Sequence, residues 1–278
     1  YVGRFAAVDY VEVRARVSGY LEKIQFTDGQ LVKADETLFT IDRRPFEAAL
    51  EQVKAARAQA EANLAYADSD LKRGNELVKG STITQQTFDQ RVQARNVAKA
   101  ALTAQDAAVK QAELDLQFTE LKAPIAGRIG DRRVSVGNLV TGGSGGSTTL
   151  LATIVSIDPI RFEFTMDEQS YVRFMSAHES AMANAGTKSV PVTLKLIGEA
   201  DFGHKGKIDF VDNAIDRSSG TIRVRAEFAN ADGKLTPGMF GRIKVPNSEP
   251  ATALLVPDTA IGTEQVRKFV YAVGEDNV

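Results

Sequence analysis

Few residues in this chain are of a type that does chemistry, and those few do not gather. There is no cysteine, which removes disulfides, thiolate nucleophiles and sulfur-ligated metals together. The only histidines, His178 and His204, fall in different segments with no neighbour at ligand spacing, so neither a metal site nor a histidine base is expected. Met166, Met175, Met182 and Met239 are too scattered to hold a soft ion. Met175 and Met182 stand at helical spacing with Tyr171 and read as the core stripe of a helix. Gly142 to Ser147 is rich in glycine but lacks the lysine and helix that follow a phosphate loop, and reads as a flexible connection. No catalytic residue, metal or cofactor is expected. What remains is the chemistry of surfaces.

Composition narrows the partners. The 278 residues are 43% hydrophobic and 25% charged, an ordinary globular balance with enough chain for two or three compact units. Formal net charge is −2 and no block of like charge occurs, so no nucleic-acid footprint is expected. No apolar run is long enough to span a bilayer, and Tyr1-Val2-Gly3-Arg4-Phe5 is not a signal peptide. Tyr1 reads as mid-strand and Phe269 to Val273 as a strand with no partner after it, so the chain is expected to be part of a longer precursor.

The dominant element is the stretch from Pro45 to Phe118, which reads as two long helices turned back on each other at Val78-Lys79-Gly80-Ser81-Thr82. Phe46, Leu50, Val53, Ala60, Leu64, Ala67, Leu71 and Val78 recur at helical spacing, interrupted at Arg57 and Gly74, which makes a seam one stripe wide. The return arm, from about Thr84, carries Phe88, Val92, Leu102, Val109 and Leu116 among alanines that let the helix axes approach. An arm of roughly 34 residues rising ~1.5 Å each reaches on the order of 50 Å, longer than one core requires. Asp42 is expected to cap the first helix, Pro45 to sit in its first turn, and Gly80 to end it as a residue tolerant of positive φ. Thr82 or Thr84 is expected to cap the second. Asp68 with Lys72, and Asp106 with Lys110, are spaced for ion pairs along the outer faces.

Short β-like runs flank the hairpin, and they repeat. Ala15, Val17, Gly19, Leu21, Gly29, Leu31 and Val32 match Ala123, Ile125, Gly127, Ile129, Gly137, Leu139 and Val140, each pair at one constant ungapped interval. Two such halves are expected to close one β-sandwich, since neither alone could bury both faces of its strands. Beyond Pro159 longer alternating runs, at 160–165, 190–196, 206–211, 221–228 and 241–245, suit a small antiparallel barrel with one helix. That helix is expected to open on the capping box Thr165-Met166-Asp167-Glu168 and to close at Gly186, with turns at Ala231-Asp232-Gly233 and Pro237-Gly238. Strands around Leu254-Leu255-Val256 and Phe269 to Val273 are expected to join Tyr1 to Ala7 in a third β unit.

Four stretches, in this order, carry a resemblance: Val13-Arg14-Ala15-Arg16-Val17-Ser18-Gly19; Ala123-Pro124-Ile125-Ala126-Gly127-Arg128-Ile129-Gly130; Asp216 with Gly220-Thr221-Ile222-Arg223-Val224-Arg225-Ala226; and Leu235-Thr236-Pro237-Gly238-Met239-Phe240. Over nearly its whole length the chain resembles the periplasmic adaptor subunits, or membrane fusion proteins, of resistance-nodulation-division (RND) tripartite multidrug efflux pumps. The resemblance implies an α+β, elongated multidomain fold: a split lipoyl-like β-sandwich with an inserted α-helical coiled-coil hairpin, an antiparallel β-barrel and a β membrane-proximal domain. Residues 1–9 would begin the membrane-proximal domain, 10–44 and 119–156 form the lipoyl-like halves around the hairpin at 45–118, 157–248 form the barrel, and 249–278 return, incompletely, to the membrane-proximal domain.

The implied role is non-enzymatic. It is that of a periplasmic adaptor, associated with the inner membrane, which links a proton-driven inner-membrane RND transporter to an outer-membrane channel and self-associates into a ring. In that family the hairpin tip meets the channel through an arginine, a leucine four residues later and a serine seven beyond that. Arg73, Leu77 and Thr84 stand at that spacing, with threonine in place of serine. By residue type alone Arg73 is a solvated helix charge, Leu77 the end of the seam and Thr84 a helix cap. Junctions near Asp42-Arg43-Arg44 and Asp158-Pro159 are expected hinges. The adaptor of an ATP-driven exporter would share this architecture. A lipoyl or biotinyl carrier subunit would share the β pattern, but neither Asp-Lys-Ala nor Met-Lys-Met occurs, and Lys122 stands at the start of a strand rather than at a turn. A purely structural coiled-coil scaffold would leave the flanking β units without a purpose.

Overall fold

The computed structural model describes residues 1–143, 147–177, 190–246, 256–264 and 267–271, which cluster into two compact units. After β1 (Val2–Ala7) come β2 (Tyr10–Arg14), β3 (Gly19–Ile24), β4 (Leu31–Val32) and β5 (Thr37–Ile41), then α1 (Arg44–Lys79) and α2 (Gln85–Gln117). They are followed by β6 (Glu120–Lys122), β7 (Gly127–Ile129), β8 (Leu139–Val140) and β9 (Leu150–Val155). Two four-stranded sheets result, in the orders β2-β9-β7-β4 and β6-β5-β3-β8.

The two halves interleave. Gly19 on β3 lies opposite Val140 on β8, and Val32 on β4 lies opposite Gly127 on β7. These are the repeat-related positions exchanged, so the internal repeat is a pseudo-two-fold in which each half supplies the strand the other lacks. Loop bonds follow the same symmetry: the Leu21 amide donates to the Asn138 carbonyl at 2.9 Å, and the Ile129 amide to the Gln30 carbonyl at 3.0 Å. The related turn residues Gly29 and Gly137 take φ of +82° and +90°, a region only glycine enters without strain. Leu38, Phe39, Ile41, Val140, Leu151 and Ile154 are fully buried in the shared core, and Phe26 meets Phe39 edge to face at 5.1 Å between centroids.

The barrel adds β10 (Ile160–Asp167), α3 (Glu168–Ala177), β11 (Pro191–Leu196), β12 (His204–Val211), β13 (Thr221–Phe228) and β14 (Phe240–Lys244). Its strands close in the order β1-β10-β13-β12-β11-β14. The expectation that Tyr1 to Ala7 joins a terminal β unit is therefore corrected. β1 is a barrel strand, with Val2 opposite Arg242 and Arg4 opposite Phe240. Without it β14 would present an open edge; closure removes that edge. Alternation fills the interior, with Phe162, Phe164 and Met166 from β10 and Ile222, Val224, Ala226 and Phe228 from β13. The turn at Gly233 forms with its amide donating to the Asn230 carbonyl at 2.9 Å, and that at Gly238 with the Met239 amide donating to Thr236 at 3.1 Å.

Other local expectations shift. Thr165 and Met166 stay in β10, so no capping box forms; Asp167 caps α3 instead, accepting from the Ser170 amide at 2.9 Å. The buried residue of α3 is Phe174, while Met175 is 38% exposed. Gly186, Met182 and His178 lie outside the described residues, as do Leu254, Leu255, Ala272 and Val273. Near the end of the chain β15 (Gly262–Glu264) and β16 (Arg267–Phe269) pair antiparallel. No helix among the described residues is long and apolar enough to cross a membrane.

Candidate functional site at the hairpin tip

Two helices side by side have too few neighbours to bury their seam. In α1 only Leu50, Ala60 and Gly74 are buried, and in α2 no residue is. Ion pairs across the seam supply the register that packing leaves loose. Arg57 Nε donates to Asp106 Oδ1 at 2.6 Å, and Arg95 Nε to Asp68 Oδ1 at 2.9 Å. Asp68 and Asp106 thus brace one arm against the other rather than pairing with Lys72 and Lys110 along one face. A guanidinium lying in the seam is less screened than an ammonium in open water and offers a directed donor. Asp106 in turn raises the already high pKa of Arg57.

Both interruptions of the seam have a use. Arg57 is one brace; Gly74 makes room for Arg91, whose Cδ would stand 2.8 Å from a Cβ at position 74. Arg91 Nη1 donates to the main-chain oxygen of Asp70 at 3.2 Å, and its Nε lies 3.3 Å from Asp70 Oδ2.

The ends of the arms carry their own devices. At the base, the N-cap position of α1 is Arg43, and Asp42 acts from one residue earlier, its Oδ1 accepting from the Arg44 amide at 3.1 Å and from Arg44 Nε at 2.9 Å. The Arg44 guanidinium and then its amide hold the Asp42 carboxyl below the usual carboxylate value. At the far end Gly80 has φ of −81°, and the left-handed residue is Ser81, at +56°. The Thr82 amide donates to the Leu77 carbonyl and the Ser81 amide to the Val78 carbonyl, both at 2.9 Å, which is the Schellman pattern with serine where glycine usually stands. Thr84 caps α2, its Oγ1 accepting from the Thr87 amide at 3.2 Å, whereas the Thr82 hydroxyl donates back to the Gly80 carbonyl at 3.4 Å.

Arg73, Leu77 and Thr84 occupy this end of the hairpin. Arg73 and Leu77 lie one turn apart on α1, and Thr84 opens α2 across the turn. The Arg73 side chain is 60% exposed and its Nη2 lies 3.2 Å from Asp70 Oδ1; Leu77 is 37% exposed. An exposed cation and an exposed apolar side chain thus stand on α1 near the exposed cap residue of α2, whose hydroxyl is engaged by Thr87. Sequence reasoning missed Asp70 and Arg91. The signal was present in a mid-helix glycine on one arm and an arginine on the other.

Elsewhere, His204 Nε2 lies 3.1 Å from Glu199 Oε1, and Lys122 is the last residue of β6 rather than the first of a strand. Among the described residues no group of three or more histidine, cysteine, aspartate or glutamate side chains could hold a metal ion.

A two-fold β-sandwich split by a long helical hairpin and followed by a six-stranded barrel defines a class of protein. The family model described as "RND MFP, barrel-sandwich hybrid domain" matches residues 9–155, and that described as "RND MFPs, beta-barrel domain" matches residues 159–248. The chain belongs to the RND membrane fusion protein family. It is 36% identical over 277 residues to the efflux pump periplasmic linker BepF of Brucella suis biovar 1 (strain 1330), covering 100% of this chain and 66% of that protein. It is 33% identical over 277 residues to the multidrug resistance protein MdtA of Proteus mirabilis (strain HI4320), covering 99% of this chain and 65% of that one. The chain thus spans about two thirds of the length of these relatives. The crystal structure of a putative efflux transporter from Bacteroides eggerthii DSM 20697 shares the fold, with a TM-score of 0.63 at 20% identity over 100% of this chain and 79% of that one.

Proposed function

We propose that this chain is the adaptor of a tripartite multidrug efflux pump, standing in the periplasm against the inner membrane and joining a proton-driven RND transporter to an outer-membrane channel. Membership of the membrane fusion protein family supports it, as do relatives named as an efflux pump periplasmic linker and a multidrug resistance protein. The observation that carries the reading is the hairpin tip. A 36-residue helix, about 50 Å of rod at ~1.5 Å per residue, ends in exposed Arg73 and Leu77 beside the capped start of the return helix at Thr84. Such an end offers a charged, an apolar and a polar contact to another helical tip. The sandwich halves would pack side by side in a ring, and the work of transport would belong to the transporter.

The test uses the absence of cysteine from these 278 residues. A cysteine at exposed Gln86, labelled with a photoactivatable maleimide in intact cells, is expected to cross-link to an outer-membrane channel, and the product to vanish with Arg73→Asp along with dye efflux. No product from the tip and unchanged efflux in Arg73→Asp would remove the tip from the mechanism. Efflux that survives collapse of the proton gradient but stops on ATP depletion would move the partner to the ATP-driven class.

A further inference from the structure

We propose that Asp70 is the positioning residue of the tip, holding Arg73 in a pose set by the return helix; the proposal rests on the docking reading above. The carboxylate of Asp70 is shared between two guanidinium groups, one from each arm. Oδ1 lies 3.2 Å from Arg73 Nη2 on its own helix, and Oδ2 lies 3.3 Å from Arg91 Nε on the other. Arg91 is fixed at a second point, since its Nη1 donates to the Asp70 main-chain oxygen at 3.2 Å.

The three side chains differ in exposure in the order this arrangement requires. Arg91 and Asp70 are mostly covered, at 25% and 29%, and Arg73 stands out at 60%. A long arginine paired only to a carboxylate three residues earlier would wander, because both partners are free to change rotamer. Here the carboxylate is not free. Arg91 grips it by side chain and main chain, so the direction in which Arg73 can pair is tied to the rotational phase of α2 against α1. Gly74 makes the grip possible, since any Cβ there would meet Arg91 Cδ at 2.8 Å.

Gly74 also supplies the sharpest test. Gly74→Ala removes no charge and replaces a poor helix former with the best one, so the hairpin itself should fold at least as well. It nonetheless displaces Arg91 from Asp70, because the crowded atom belongs to a flexible side chain that can move away. With the labelled cysteine at Gln86 in intact cells, Gly74→Ala and Asp70→Asn are each expected to cut channel cross-linking about fivefold, with far-UV helical signal unchanged in the purified chain. In an Arg73→Ala background neither is expected to reduce the residual yield further, since the side chain they position is gone.

Equal loss in both backgrounds would mark Asp70 and Gly74 as parts of the rod's general stability and overturn the proposal. Full cross-linking by both variants, while Arg73→Ala alone is defective, would overturn it and leave the docking reading standing. An Arg73→Ala chain that cross-links as the parent does would instead bring down the docking reading itself, and the positioning role with it.

Discussion

Asp106 on the return helix holds Arg57 on the outgoing one, Oδ1 to Nε at 2.6 Å, at the place where a charge interrupts the apolar stripe of α1. A hairpin with no buried residue in its second arm depends on such contacts for register. Asp106→Asn is expected to lower the midpoint of the thermal loss of helical signal, and the gap from the parent to narrow at about 1 M salt, where charges on exposed faces are screened within a few ångströms. Exchanging the pair, Arg57→Asp with Asp106→Arg, is expected to recover only part of the loss, because Arg57 Nη1 also donates to Glu61 Oε2 at 2.9 Å and a carboxylate at position 57 would repel Glu61 one turn away. The folded-state pKa of Arg57 is raised by Asp106, so its contribution is complete at every pH below the ordinary arginine value and is lost only as pH rises through the folded one. A melt that weakens between pH 6 and 9 would therefore point to groups other than Arg57.

The turn at the tip predicts two changes of opposite sign. Ser81 sits at φ of +56°, which costs a residue with a Cβ about 1 kcal/mol, so Ser81→Gly is expected to stabilise the turn by about that amount. Thr84→Ala removes the acceptor of the Thr87 amide and is expected to cost about 1 kcal/mol, while Thr84→Ser keeps the cap. Hydrogen exchange at the Thr82 and Thr87 amides reads both: slower at Thr82 in Ser81→Gly, faster at Thr87 in Thr84→Ala. If Ser81→Gly stiffens the turn yet weakens channel cross-linking, the Ser81 hydroxyl belongs to the contact surface.

Acid acts on α3 through its cap. The Ser170 amide, followed by its hydroxyl, holds the Asp167 carboxyl below the ordinary value of 3.8. A depressed folded-state pKa means the stabilisation is present above 3.8 and disappears as pH falls through the folded value. A carbon-detected titration of Asp167 should place its midpoint under 3.8, and Asp167→Asn, which keeps an acceptor, should remove the acid dependence of the Ser170 amide shift. A midpoint at or above 3.8 would mean that the Ser170 bond is absent in solution.

What was legible in the sequence was whatever depends on spacing along one segment. The constant interval between Gly19 and Gly127, or Val32 and Val140, implied two halves of one sandwich, and the strand exchange of Gly19 with Val140 is that repeat made spatial. The arms of the hairpin and the cap at Thr84 followed from the same local rules. Missed were the choices made between segments. Asp68 has Lys72 one turn away and Arg95 across the seam, and only the packing of two helices decides for Arg95. β1 carries an alternation that would suit any sheet, and its place in the barrel is fixed by the open edge of β14 rather than by its own residues. Ser81 in place of Gly80 at the left-handed position reflects a shift of one residue in where the last turn closes, smaller than residue type alone can resolve.

The pseudo-two-fold of the sandwich is a symmetry of register and not of packing, and its related glycines separate the two. A Cβ on Gly19 would meet Ile41 Cγ2 at 2.6 Å, a side-chain methyl of a fully buried residue that can give way only by a turn of χ1. On the related Gly127 it would overlap the Val155 carbonyl oxygen and stand 2.8 Å from its carbon, which belong to the paired backbone of β9. Gly19→Ala is thus an overpacking change, expected to cost about 1–3 kcal/mol. Gly127→Ala cannot be absorbed by a rotamer and must displace β9, whose Ile154 lies opposite Ile129 in the fully buried core. Urea denaturation is expected to rank the two, with Gly127→Ala the lower midpoint by a clear margin. Equal midpoints would mean that the sheet shifts as easily as a methyl turns, and that the two halves are equivalent in packing as well as in register.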